Sequence, residues 1–173
     1  MKNKLLNWEI FTLNELFKLI TDGKHGDCEN QPDSGYYFLS AKDVDNGKLN
    51  YENARQITYK DFFETHRRTN LELGDILITN SGTIGRMAIA RDLNKTPKTT
   101  FQKSVAVLKP HRHKSYNHFL YYSLLHKKNL LIELAGGTTQ QNLLLGDLRK
   151  FKIPLPPLPE QRAIAEILSS IDD

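Results

Sequence analysis

The sequence holds a single cysteine, Cys28, a single tryptophan, Trp8, and no apolar run longer than about five residues. One thiol cannot build an intrachain disulfide framework, so a cytoplasmic setting is expected. A bilayer span needs about 20 apolar residues in succession, so no membrane partner is expected. The opening Met1-Lys2-Asn3-Lys4-Leu5-Leu6-Asn7 also lacks the apolar core and small-residue cleavage site of a signal peptide.

Catalytic and cofactor motifs are missing as well. The chain contains no G-x-G-x-x-G and no G-x-x-x-x-G-K-[ST], which removes the dinucleotide fingerprint and the phosphate-cradling loop. Asp43-Val44-Asp45-Asn46-Gly47 comes near a calcium loop, but its glycine falls one place early and no glutamate occupies the twelfth position. His25-Gly26-Asp27-Cys28 and His111-Arg112-His113 are too poor in ligands for the four that zinc requires. Ser81 before Gly82 lacks the context of a nucleophile elbow. No metal, cofactor or catalytic residue is therefore expected. A hydrolase built on Asp22, His25 and Asp27 is the remaining catalytic alternative.

What is present is an ordinary globular composition with a basic tilt. Hydrophobic residues make up 39% and charged residues 25% of the chain, and the formal charge is +4. The cations gather at His66-Arg67-Arg68, at Lys95, Lys98 and Lys103, at Lys109-Pro110-His111-Arg112-His113-Lys114, and at Arg149-Lys150 with Lys152. Each cluster can be a solvated face; several between strands suit a phosphate-facing surface.

The pattern of elements predicts a mixed α/β fold: a twisted, mostly antiparallel sheet with flanking helices. Thr12-Leu13-Asn14-Glu15 opens as a capping box, and Leu13, Leu16, Phe17 and Ile20 cover one face of a predicted helix. Tyr36-Tyr37-Phe38-Leu39 reads as a buried strand, and Thr58 with Asp61 starts a short helix. Asp75 to Thr79, Met87 to Ala90 and Ser104 to Leu108 are predicted strands. Ser115 is expected to cap one long helix running through Leu134, stopped by Gly136-Gly137. A helical turn at Asp147-Leu148-Arg149 precedes the strand-like Lys152-Ile153-Pro154-Leu155.

Three glycine-containing loops carry groups suited to DNA, where Lys and Arg hold phosphates and amides or hydroxyls meet base edges. The first supplies Lys24 and His25. The second, Thr79 to Arg86, supplies Asn80, Ser81, Thr83 and Arg86. The third, Gly136 to Asn142, supplies Thr138, Thr139, Gln140 and Gln141, and Gln and Asn can pair bidentately with adenine. Gln102 and Lys103 form a further candidate before a strand. Every one of these stretches also reads as a plain turn.

Four of the seven prolines fall within residues 154–159, which excludes a helix there and predicts an extended hinge. From Glu160 a helix is expected, with Ile164, Ile167, Leu168 and Ile171 at i, i+3, i+4 and i+7 forming one apolar stripe. About a dozen helical residues are marginal alone, so the stripe is expected to meet another helix. The predicted layout is a DNA-binding domain over residues 1–153, the hinge over 154–159, and the start of a spacer or coiled-coil helix over 160–173.

Ile153-Pro154-Leu155-Pro156-Pro157-Leu158-Pro159-Glu160-Gln161-Arg162-Ala163-Ile164 resembles the signature of specificity subunits of type I restriction-modification enzymes. The run Gly74-Asp75-Ile76-Leu77 through Gly82-Thr83-Ile84-Gly85 is similar to a second segment of that family. Trp8 followed by Leu13, and Gly136 leading to Gln140 and Leu148, fit its usual order; the likeness runs from about Trp8 to Ile171. The resemblance implies one target recognition domain reading half of a bipartite site, without catalysis of its own, in a prokaryotic cytoplasm. It implies double-stranded DNA, methyltransferase subunits and, through them, restriction subunits as partners. A second recognition domain, or a second copy, would pair through the C-terminal helix. Complete subunits of the family are roughly twice this size, so the resemblance implies a fragment or a half-subunit. The rival reading is a protein-interaction scaffold that docks methyltransferase subunits and reads few bases itself.

Overall fold

The structure is a computed structural model, and it describes residues 8–136 and 141–172. Its centre is a four-stranded antiparallel sheet made of β2 (Phe17–Asp22), β9 (Val105–Pro110), β6 (Ile76–Thr79) and β7 (Met87–Ile89), in that order. A pair formed by β1 (Glu9–Thr12) and β10 (Lys152–Leu155) joins the two ends of the chain. Two smaller pairs flank the sheet: β3 (Tyr37–Leu39) runs parallel to β8 (Thr99–Phe101), and β4 (Val44–Asp45) makes a hairpin with β5 (Lys48–Leu49).

The stretches Ile76 to Ile78, Met87 to Ile89 and Val105 to Leu108 are apolar without interruption because both of their faces are covered, and successive side chains point to opposite sides. Ile76, Ile78, Met87, Ile89, Ala106 and Leu108 enter one core. Their neighbours Leu77, Ala88, Val105 and Val107 enter a second core with Leu39, Val44 and Phe101. The first core is closed by α1 (Leu13–Leu16), α3 (Asn117–His126), α4 (Lys128–Glu133), α5 (Leu145–Lys150) and α6 (Leu158–Asp172). Helix α2 (Tyr59–Thr69) covers a third cluster of Cys28, Phe38, Ile57 and Phe62.

Several local expectations change. The capping-box helix lasts a single turn: the Glu15 carboxylate accepts the Thr12 N–H and hydroxyl at 2.7 Å, but the backbone is extended at Phe17 and continues as β2. Leu13, Leu16, Phe17 and Ile20 all reach the core as expected, in two kinds of element instead of one. Pairing with β9 overrides the helical spacing. The predicted long helix breaks at Lys127 into α3 and α4, and α4 ends before Gly136. Its N-cap is Tyr116, while the Ser115 hydroxyl donates to the His111 carbonyl at 3.2 Å. Helix α2 runs eleven residues from the Thr58 cap, longer than expected. Helix α6 begins at Leu158, not Glu160, because Pro159 in a first turn forfeits no intrahelical bond. Asp43 to Gly47 leads into the β4–β5 hairpin, turned at Asn46 and Gly47.

Candidate nucleic-acid interface

The sheet topology gathers the candidate loops at one end. Asp22 lies opposite Ala106, Thr79 opposite Val105, and Ile78 opposite Met87. So β2 and β6 finish, and β7 and β9 begin, at the same edge. The loops after β2, between β6 and β7, and before β9 all emerge there. Backbone bonds lock them together: Lys24 N–H donates to Phe101 O at 2.8 Å, Lys103 N–H to Lys24 O at 3.0 Å, and Asn80 N–H to Ser104 O at 3.0 Å. Leu143 N–H donates to Asn80 O at 2.8 Å, which brings in the segment before α5. Gly23 is obligatory here, because a Cβ would overlap the Phe101 carbonyl. The β6–β7 turn is held from inside: the buried Thr79 hydroxyl donates to the Thr83 carbonyl and accepts the Arg86 N–H at 2.9 Å. Gly82 and Gly85, both at positive φ, supply the conformations this turn needs.

Between these loops lies a cleft of about 330 Å³ lined by Asp22, His25, Asn80, Ser81, Lys103 and Asn142. The His25 side chain is 61% exposed, and its Nε2 sits 3.1 Å from Asp22 Oδ2. Asp22 is fixed in turn by Arg68, whose Nη2 donates to Oδ1 at 2.5 Å. This leaves His25 Nδ1 as the ring atom available to a ligand. Asn80 is only 8% exposed, yet its buried Oδ1 has no hydrogen-bond partner among the described residues. A buried, unused amide acceptor costs about 1–3 kcal/mol.

The other candidates are distributed unevenly. Lys24 lies 3.7 Å from Asp61 Oδ1 and 4.0 Å from Glu64, so its charge is partly offset. Gln102 is half-buried and bridged to Lys24, while Lys103 and Thr83 are exposed. Arg86 lies on the far flank of the β6–β7 turn, lining a different groove. Gln141 is exposed; Thr138, Thr139 and Gln140 lie outside the described residues. The sequence reading grouped Asp22 with His25 only in the hydrolase alternative and not in the DNA-binding set, and left Asn142 out of that set although its loop was singled out. A carboxylate three residues before a histidine was the available signal for the first.

Not every basic cluster faces outward. Lys109 is 3% exposed, and its ammonium lies 2.5 Å from both Asp75 Oδ2 and the Asn70 carbonyl. It is a core ion pair. Burial pushes the Asp75 carboxyl up, although Lys109 and the Glu72 N–H oppose this. The trio of Asp22, His25 and Asp27 does not converge, since Asp27 is taken by Arg55 at 2.6 Å. Among the described residues no three His, Cys, Asp or Glu side chains form a metal-binding group. No helix among them is long and apolar enough to cross a membrane.

At the other side of the molecule, Gln161 explains why Glu-Gln follows the prolines. It is 0% exposed; its Oε1 accepts the Tyr116 N–H at 2.8 Å and its Nε2 donates to the Pro156 carbonyl at 2.8 Å. Trp8 Nε1 donates to Glu160 at 3.3 Å. The two residues clasp α6 to the start of α3 and to β1. Ala165 and Leu168 continue the inward face, and Ile164 is half-buried beside them. Ile167 and Ile171 stand 63% and 75% exposed. The stripe is thus shared between the domain and solvent.

Residues 6–173 match the family described as Type I restriction modification DNA specificity domain. The chain belongs to this family. It is 31% identical over 173 residues to the type I restriction enzyme MjaVIII specificity subunit of Methanocaldococcus jannaschii, an alignment covering 96% of this chain and 40% of that protein. It is 27% identical over 133 residues to the EcoBI specificity subunit of Escherichia coli, covering 75% and 27% respectively. The fold matches the crystal structure of the S subunit of a type I restriction-modification system from M. genitalium, with a TM-score of 0.69 at 23% identity, over 99% of this chain and 41% of that one. The chain therefore spans less than half the length of these specificity subunits.

Proposed function

We propose that this specificity domain reads one half of a bipartite DNA target through the loops at the Asp22–Asn80–Lys103 end of the sheet. The observation that carries the reading is the cleft that brings His25, Asn80, Ser81 and Lys103 together from separate loops. Amide oxygens such as that of Asn80 can accept from the exocyclic amino groups of adenine and cytosine in the major groove. His25, with Nε2 directed at Asp22, presents a second acceptor when neutral. Lys103 supplies a phosphate contact from the same rim. The domain itself performs no reaction; methyltransferase subunits, and through them restriction subunits, carry the chemistry. The hinge shortens to Pro156 and Pro157, between β10 and α6, and α6 is the root of a spacer helix. Ile167 and Ile171, the exposed part of the stripe, form its outward seam for a second recognition domain or a second copy.

Duplex binding by the full specificity subunit, titrated against salt, tests this reading. Affinity is expected to fall tenfold or more across a few-fold rise in salt, and to favour duplex over single strand. Salt-insensitive binding, or no duplex preference, would overturn it.

A further inference from the structure

A groove of about 500 Å³ lies on the other flank of the β6–β7 turn from the reading cleft, beside β7, whose outer edge is bridged by Gly47. Its cations come from separate parts of the chain: Lys48 from the β4–β5 hairpin, Arg86 and Arg91 from the two ends of β7, and Lys128 from the start of α4. Asp45 is the one acidic side chain in the lining, and it accepts a bond from its neighbour Asn46 at 3.0 Å. None of the four cations forms an ion pair among the described residues. His118 also lines the groove; burial first, and then Arg91, hold its imidazole below the usual range, so it adds no competing charge near neutrality.

Four cations from separate elements, set against one carboxylate, give the groove a positive field that favours an anion. The position of the groove says which anion. The groove begins at Arg86, on the flank of the same β6–β7 turn whose other flank, at Asn80 and Ser81, lines the reading cleft. A long polyanion lying on the reading loops would reach the groove by continuing past the turn. A short acidic peptide would have no reason to meet both.

We infer that the groove edged by Lys48, Arg86, Arg91 and Lys128 holds the sugar-phosphate backbone of duplex DNA flanking the half-site, and so supplies affinity without sequence discrimination. This rests on the proposed DNA reading and extends it to a second surface.

The test uses the full specificity subunit and a random-sequence duplex pool, with binding measured over a series of salt concentrations. Arg91→Gln with Lys128→Gln is expected to weaken binding roughly tenfold at low salt and to lower the slope of log affinity against log salt by about two. The conservative pair Arg91→Lys with Lys128→Arg keeps the slope. An unchanged slope in the Gln pair, with the wild type still binding duplex, overturns the groove and leaves the reading loops standing. Absence of duplex binding by the wild type overturns the reading itself. Loss of binding in both pairs alike assigns these residues to packing and counts against the inference. An intact slope with lost assembly of partner subunits marks an acidic protein surface, which also overturns it.

Discussion

The two ends of the central sheet treat charge in opposite ways. At the end where β9 finishes, Lys109 is buried against Asp75 and the Asn70 carbonyl, and Arg112 donates to the Leu73 carbonyl at 2.5 Å. At the other end the backbone is tied as tightly and Arg68 holds Asp22, but His25 and Lys103 stand exposed beside the cleft. Cations directed inward hold a fold together; polar groups left open on a rigid frame are what a recognition surface requires.

This contrast can be broken at its structural end first. Lys109→Met strands the Asp75 carboxylate in the core and is expected to cost about 3–5 kcal/mol in denaturant unfolding. Adding Asp75→Leu should recover much of it, whereas a surface role for Lys109 predicts little change from either. Gln161→Leu leaves the Tyr116 N–H and Pro156 carbonyl without partners and is expected to cost about 2–4 kcal/mol. Loss of helical signal from α6 before the rest of the domain melts would show that the clasp acts on that helix.

A smaller effect concerns pH. Burial, followed by lesser effects, lowers the His66 and His118 imidazoles in the folded protein. The unfolded chain therefore binds more protons as pH falls through about 6.5, and the stability present above that value is lost below it. The melting temperature should fall by a few degrees between neutral and mildly acidic pH, and His66→Leu with His118→Leu should flatten the decline. The smallest effect on stability belongs to the reading end. His25→Ala should change unfolding free energy by less than about 0.5 kcal/mol while altering DNA recognition.

The sequence carried the sheet well, because Ile76 to Ile78, Met87 to Ile89 and Val105 to Leu108 are continuous apolar runs. It carried the loops as candidates, because glycines beside hydroxyls and amides mark them. It misread residues 12–20, where spacing suited a helix but pairing across 90 residues to β9 set the conformation. The basic clusters were the poorest guide. Lys109 sits beside His111 and Arg112 in sequence, yet only the tertiary fold sets it against Asp75. The grooved edge of β7 was invisible for the same reason, since Lys48, Arg86, Arg91 and Lys128 are scattered over 80 residues. Asn80 was chosen for its amide; that its acceptor would be buried and unpartnered follows from the loops packing around it.

The most direct test of the recognition end is the methylated motif in a genome carrying the complete system, compared between wild type and Asn80→Ala or His25→Ala. Loops that read one half-site predict that the motif relaxes at one or two positions of that half while the other half and the gap stay fixed. A motif unchanged in both variants, with methylation at full level, would contradict the account.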